Sequence, residues 1–321
     1  QQLSLIGGFA APMFLWLAGL SLAMSAERTL QRTGRRREAT VAVVSRAAEI
    51  FILAFLFRLQ AFVVSPGSWM VTVFRVDILN VMGVSMAVAG LIWGAAGTAR
   101  RAAVWAGAAA VAVAMVTPVV RTAGWVEFLP LWFQWHLRPF GDHTTFTLLP
   151  WGGFVLAGTA AGALFTQWRE PRDERLGLLA LGGVGAALIW LGFFTAARPS
   201  LYAASSFWTS SPTFFAIRVG VLMVALALLF LVDALVRAEW PGSRALAVLG
   251  QNSLFIYWIH IEIVYGYLTW PLRLKLPIWG TAVAYLIFTV VMYQAIGLRD
   301  RVVELWRARG LRKATAGPVP A

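Results

Sequence analysis

The stretch Gly250 to Gly266 reads GQNSLFIYWIHIEIVYG, apolar enough for lipid yet carrying Asn252, Ser253, His260 and Glu262 in its middle. On a helix turning about 100° per residue, Ser253, Tyr257, His260, Val264 and Tyr267 share one stripe less than about 90° wide. Asn252 flanks that stripe, and Glu262 projects away from it. An imidazole beside hydroxyls and an amide, away from water, can move a proton and stabilise an oxyanion. A lone histidine on such a face can equally be a satisfied core residue. A second acid stands in FRVDILNVMGVSM, where Asp77 and Asn80 lie three apart on adjoining helix faces.

Ionisable side chains inside a spanning segment cost about 2.5–3.5 kcal/mol each on insertion scales, so they turn toward the bundle interior or water and mark a pathway or a site. Arg58, Arg75, Asp77, Arg218, His260 and Glu262 all fall toward the same end of their apolar runs. Arg75 and Arg218 also lie near enough to a helix end to snorkel. Arg46 and Glu49, three apart near the opposite end, read as a structural pair.

The elements that must position these groups follow from composition. The chain has 321 residues, 60% of them hydrophobic and 13% charged, with a mean hydropathy of +0.73. Apolar windows of about 20 residues recur along it, separated by short charged or Pro-rich breaks, the pattern of a helical bundle and not of a barrel of alternating strands. The expected fold is an all-α polytopic transmembrane helical bundle of about nine spans. These cover residues 4–25, 41–64, 73–96, 102–120, 146–167, 176–195, 212–235, 246–270 and 278–297. Residues 1–313 are expected to form a single transmembrane domain, and 314–321 a disordered tail.

The net charge of +13 has an explanation other than nucleic acid. Arg28, Arg32, Arg35, Arg36 and Arg37, then Arg100 and Arg101, Arg169, Arg172 and Arg175, Arg237 and Arg244, and the basic tail from Arg299 to Lys313 all mark alternate connections. The positive-inside rule makes that face and the C-terminus cytoplasmic and puts Gln1 on the other side. The expected location is an integral one, in the bacterial inner membrane. The chain opens at Gln1 and enters an apolar segment within a few residues, which reads as a longer chain with one preceding helix removed. Without cysteine, any acyl chemistry must use His, carboxylates or hydroxyls, and no zinc spacing, phosphate-cradling loop or nucleophile elbow is present.

On the opposite face the longest connection, RTAGWVEFLPLWFQWHLRPFGDHTT from Arg121 to Thr145, mixes Trp125, Phe128, Trp132, Phe133 and Trp135 with Glu127, His136, Arg138, Asp142 and His143. It reads either as an aromatic belt at headgroup level or as an apolar lid carrying polar groups over a cavity. In PWGGFVLAGTAAGALF, Gly158 and Gly162 form a G-x-x-x-G for close helix approach, and Pro150 suits a first turn. Pro12 would kink the first helix.

Four stretches in order carry a resemblance. LGQNSLFIYWIH resembles the G-x-N-S-L-x-x-Y-x-x-H segment of the heparan-alpha-glucosaminide N-acetyltransferase family of multi-pass membrane acyltransferases. GGFAAPMFLWLAGLSLAMS resembles the family's second helix, FRVDILNVMGVSM its short Asp/Leu-Gly segment, and FTLLPWGGFVLAGTAAG its Pro-Trp helix. The resemblance implies transfer of an acetyl or acyl group from acyl-CoA on the cytoplasmic side to an amino or hydroxyl group of a sugar or glycan on the outer side, with no metal. It implies His260 and Asp77 as catalytic candidates and Asn252, Ser253 and Tyr257 in substrate binding. Arg75, Arg218, Asp142 and His143 join the substrate-binding set on depth and charge alone. Family members carry an Arg and a His on or just after a first helix, and no segment here matches it, so the resemblance leaves open whether the chain works with His260 alone.

Two other classes compete. A transporter or flippase for an anionic or lipid-linked substrate would show paired broken helices with polar groups at the midplane, and no convincing internal repeat is found. A non-catalytic subunit would expose an apolar or aromatic patch beyond the bilayer. Expected partners are the bilayer and a glycan acceptor, not nucleic acid, with room for a homo-oligomer or a larger membrane assembly.

Overall fold

Helix ends are written into the breaks between the apolar runs. Gly34 and Gly97 adopt positive φ, at 68° and 74°, where a residue without Cβ ends a helix in the left-handed conformation at no steric cost. Thr98 caps the next helix, its hydroxyl accepting from the Arg101 amide at 3.2 Å. Pro171 begins another helix at a position whose amide would have no partner anyway.

The computed structural model describes residues 8–64, 69–168, 170–236, 241–265, 269, 271 and 275–315. Within them lie α1 (Ala10–Thr33), α2 (Arg36–Val64), α3 (Ile78–Ala96), α4 (Ala99–Thr122), the short α5 (Leu131–Leu137), α6 (Leu148–Phe165), α7 (Pro171–Ala196), α8 (Pro212–Val236), α9 (Pro241–Gln251), α10 (Ser253–Tyr265) and α11 (Ile278–Thr315). Eight of these, α1 to α4, α6 to α8 and α11, are long and apolar enough to cross a membrane. The chain is an all-α polytopic membrane protein, and among the described residues the nearest approach to a sheet is an isolated parallel bridge between Val76 and Thr144.

Among the described residues eight of the nine expected spans are single long helices, and the run over 246–270 is not one of them. It divides at Asn252 into α9 and α10. The Asn252 carboxamide donates to the Val248 carbonyl at 2.8 Å, a side-chain bond that competes with the backbone ladder. The 13 residues of α10 reach only about 20 Å, short of a hydrocarbon core of about 30 Å. Residues 266–268 and 270 of that run lie outside the described residues. The last helix exceeds expectation, continuing through the basic segment to Thr315, and residues 316–321 are outside the described set.

The described residues form two compact units, divided between Val236 and Arg237. In the first, α1 and α6 press together through small residues. A Cβ on Gly19 would sit 1.9 Å from the Val155 carbonyl oxygen, and one on Gly158 would sit 1.9 Å from that of Trp16. Gly162 meets the Leu20 backbone in the same way. The buried Thr159 hydroxyl donates to Val155 O at 2.9 Å and lies 3.3 Å from Gly19 O, adding a polar tie where lipid gives no hydrophobic drive. The G-x-x-x-G reading of Gly158 and Gly162 therefore holds, with Gly19 as its counterpart. Gly185 on α7 and Gly220 on α8 repeat the device. Arg46 and Glu49 pair at 2.7 Å on the surface of α2, as their spacing implies. In the second unit α10 packs on α11, with the Arg299 guanidinium 4.8 Å from the Phe255 ring centre.

Gly158→Leu must separate α1 from α6, and overpacking of this kind costs about 1–3 kcal/mol. The expected outcome is a lower melting midpoint and loss of the monodisperse peak on size exclusion in detergent. Gly107→Ala, whose Cβ meets only Ala160 Cβ at 3.8 Å, leaves both unchanged.

Candidate active site

Asp77 precedes the first turn of α3 in an extended conformation (φ −122°, ψ 176°) and forms a capping box with Asn80. Its Oδ1 accepts from the Ile78 amide at 2.7 Å, while its own amide donates to Asn80 Oδ1 at 3.0 Å. Oδ2 accepts from Arg58 Nη2 at 2.5 Å. Asp77 and Asn80 are buried, 7% and 1% exposed. The guanidinium and the positive end of the α3 dipole both face the carboxylate. Asp77 is thus saturated with donors, and its part is to fix Arg58 and the start of α3.

The segment before Asp77 is fastened to the long connection. Val76 donates to His143 O at 3.0 Å, and Thr145 donates to Val76 O at 3.0 Å. Trp132 Nε1 donates to Phe74 O at 3.0 Å. Val76, Val81 and Trp135 form a buried cluster packed by Trp132, Phe146, Leu148 and Trp151. His143 stacks flat on Trp135, 4.6 Å between ring centres at 12°. The connection is a folded cap over the end of α3, with Trp125, Phe128 and Phe133 outward and exposed.

Arg75, Asp142 and His143 come together at this cap. Burial first, then the Arg58 charge, lower the Arg75 pKa, while Asp77 and Asp142 raise it. His136 was not among the site candidates, and nothing in its spacing separates it from the aromatic loop around it. It is buried, its Nδ1 donating to Trp132 O at 3.0 Å, and desolvation lowers its pKa, with that hydrogen bond opposing. The Nδ1 donation leaves the Nε2 lone pair of the neutral ring to accept a proton.

Cations collect along the chain that follows. Arg121, also missed because it closes an apolar run, donates through Nη2 to Thr147 Oγ1 at 3.0 Å and Leu149 O at 3.1 Å. Arg218 lies over the Phe214 ring at 4.1 Å and the Trp151 ring at 5.7 Å. The Nε atoms of Arg58, Arg75, Arg121 and Arg218 are buried without a hydrogen-bond partner among the described residues. Four guanidinium groups against Asp77 and the exposed Asp142 make this end of the first unit suited to an anionic ligand. Among the described residues no cluster of His, Cys, Asp or Glu is placed to hold a metal ion.

Asn252, Ser253, Tyr257 and His260 lie in the second unit. Tyr257 and His260 share a face of α10, with ring centres 5.4 Å apart. His260 Nδ1 donates to Ile256 O at 3.2 Å, which leaves Nε2 as an acceptor. Asn252 is committed to Val248, and Ser253 is exposed at the start of α10.

Residues 1–197 match the family model described as heparan-alpha-glucosaminide N-acetyltransferase, catalytic. The match covers α1 to α7, and so includes the capped Asp77 with Arg58, Arg75 and Arg121; Arg218 and α10 lie beyond it. No curated protein matches the chain.

Because burial holds the His136 pKa below 6.5, the unfolded chain takes up that proton first as pH falls. The stability this contributes is present above about pH 6.5 and is lost as pH falls through the folded value. Melting midpoints measured from about pH 7.5 down to about pH 5 should fall less steeply in His136→Asn, whose amide can keep the bond to Trp132 O, than in the parent. Equal slopes would mean that His136 is protonated as readily in the folded protein.

Proposed function

Because the chain belongs to the heparan-alpha-glucosaminide N-acetyltransferase family of membrane acetyltransferases, we propose that it transfers an acetyl group from acetyl-CoA, approached from the cytoplasmic face, to an amino or hydroxyl group of an anionic sugar on the opposite face. The observation that carries this reading is the family match over residues 1–197, which spans the Asp77 end of the bundle. The sidedness rests on the basic residues that mark alternate connections.

In the reaction, the acceptor nitrogen or oxygen attacks the thioester carbonyl while a base takes its proton. The tetrahedral intermediate then collapses, the C–S bond breaks, and the CoA sulfur leaves with the proton returned by that group. We assign the base to His260, whose Nδ1 bond to Ile256 O leaves Nε2 free to accept. Tyr257 packs against its ring and orients it. Asn252 and Ser253 are assigned to binding beside it. In the first unit, Asp77 is a positioning residue. Arg75 and Arg218 supply charge, and Asp142 and His143 polar contacts, for an anionic ligand at the capped end of that unit.

The test is transfer of radiolabel from acetyl-CoA to a panel of amino sugars by the protein in nanodiscs. Label should reach a sugar, and His260→Ala should lower kcat by about 100-fold or more, the usual worth of a general base, with a little-changed KM for acetyl-CoA. Full activity of a well-expressed His260→Ala variant would remove that residue from the mechanism.

A further inference from the structure

Outside the capped site, the first unit holds a cleft of about 800 Å³ between α4 and α6 on one side and α7 and α8 on the other. Its walls are almost wholly apolar, with Gly107, Ala110, Ala157, Ala160, Leu188 and Val219 among the lining residues. The α7 and α8 helices are drawn to each other by Gly185 and Gly220, which leaves the gap toward α4 and α6. From Leu181 to Ala196, both on its wall, the cleft runs about 22 Å along α7 at 1.5 Å per residue. Its sides are open at Val111 and Leu191, which are 61% and 46% exposed on helices that cross the bilayer.

One end differs in chemistry. There the segment after α7 contributes Arg198, Ser200, Tyr202 and Ser205 to the lining. Tyr202 reaches across to α4, its hydroxyl donating to Met115 O at 2.7 Å, so the segment straps that end closed. The Ser200 and Ser205 hydroxyls lie 3.2 Å apart. Arg198 rests over the Phe194 ring at 4.6 Å, and no carboxylate pairs with it among the described residues.

We infer that this cleft binds one hydrocarbon chain of an anionic membrane lipid, with the lipid phosphate held at the strap by Arg198 and the hydroxyls of Ser200 and Ser205. A long apolar slot open to the bilayer, ending in an unpaired cation and hydroxyls, matches a tail and headgroup in order and polarity. A spanning helix of another chain would have to stop beneath the strap. The pantetheine arm of CoA would leave its amides unpaired against Ala and Leu. Gly107 makes the slot adjustable, since a side chain there meets only Ala160 at 3.8 Å and grows into the cleft.

The experiment is native mass spectrometry of the full chain after reconstitution with equal amounts of dioleoyl phosphatidylglycerol and dioleoyl phosphatidylcholine, read as lipid retained per chain. One phosphatidylglycerol should be retained, favoured about fivefold, the worth of one basic residue near an anionic lipid surface. Arg198→Gln should bring the two lipids to parity. Gly107→Phe and, independently, Ala160→Leu should reduce retention of both, with melting midpoints followed to show that the fold persists. Equal retention of the two lipids by the parent chain would overturn the proposal. Retention unaffected by either filling variant would do so as well, as would a second copy of the chain cross-linked in the cleft with no lipid retained. None of these readouts depends on acetyl transfer, so the proposal stands or falls apart from the function.

Discussion

The salt bridge between Arg58 and Asp77 is the constraint on which the rest of the first unit depends. A buried carboxylate and a buried guanidinium are each costly alone, and pairing them in good geometry offsets much of that cost. Asp77 also caps α3, which fixes where the helix begins. Once α3 begins there, Val76 is placed to bridge Thr144 through His143 and Thr145, and the long connection folds down as a cap. Arg75, Asp142 and His143 are gathered because the backbone on either side of Asp77 is pinned.

Around that point the membrane helices are held by shape. Gly19, Gly158 and Gly162 bring α1 and α6 to backbone contact, and Gly185 and Gly220 do the same for α7 and α8. The α7 and α8 pair meets α4 and α6 less closely, which leaves the apolar cleft between them.

Much of this was legible in the chain, and the reasons for the rest are specific. Charged breaks and runs of about 20 apolar residues mark the membrane helices because lipid permits few other ways to satisfy a backbone. The Asp77 and Asn80 spacing points to adjoining faces, which the capping box realises, and the Tyr257 and His260 spacing points to a shared face of α10. The division at Asn252 was hidden because one amide in an apolar run changes composition hardly at all. Pairing was the harder loss. Arg58 and Asp77 are joined across 19 positions, Arg121 and Thr147 across the cap, and Val76 and Thr144 across three helices, and none of these separations leaves a local pattern. His136 looks like any residue of an aromatic loop until its burial and its bond to Trp132 O are seen.

The most direct test of the account is a double-mutant cycle of Arg58→Gln and Asp77→Asn, read in acetyl transfer from acetyl-CoA to an amino sugar. Asn keeps the cap, so the cycle isolates the charge pair. Each single variant should lose transfer by leaving one buried charge alone, and the double variant should recover much of what the two losses would sum to. Losses that simply add, or a parent chain that transfers no acetyl group to any acceptor, would contradict the account.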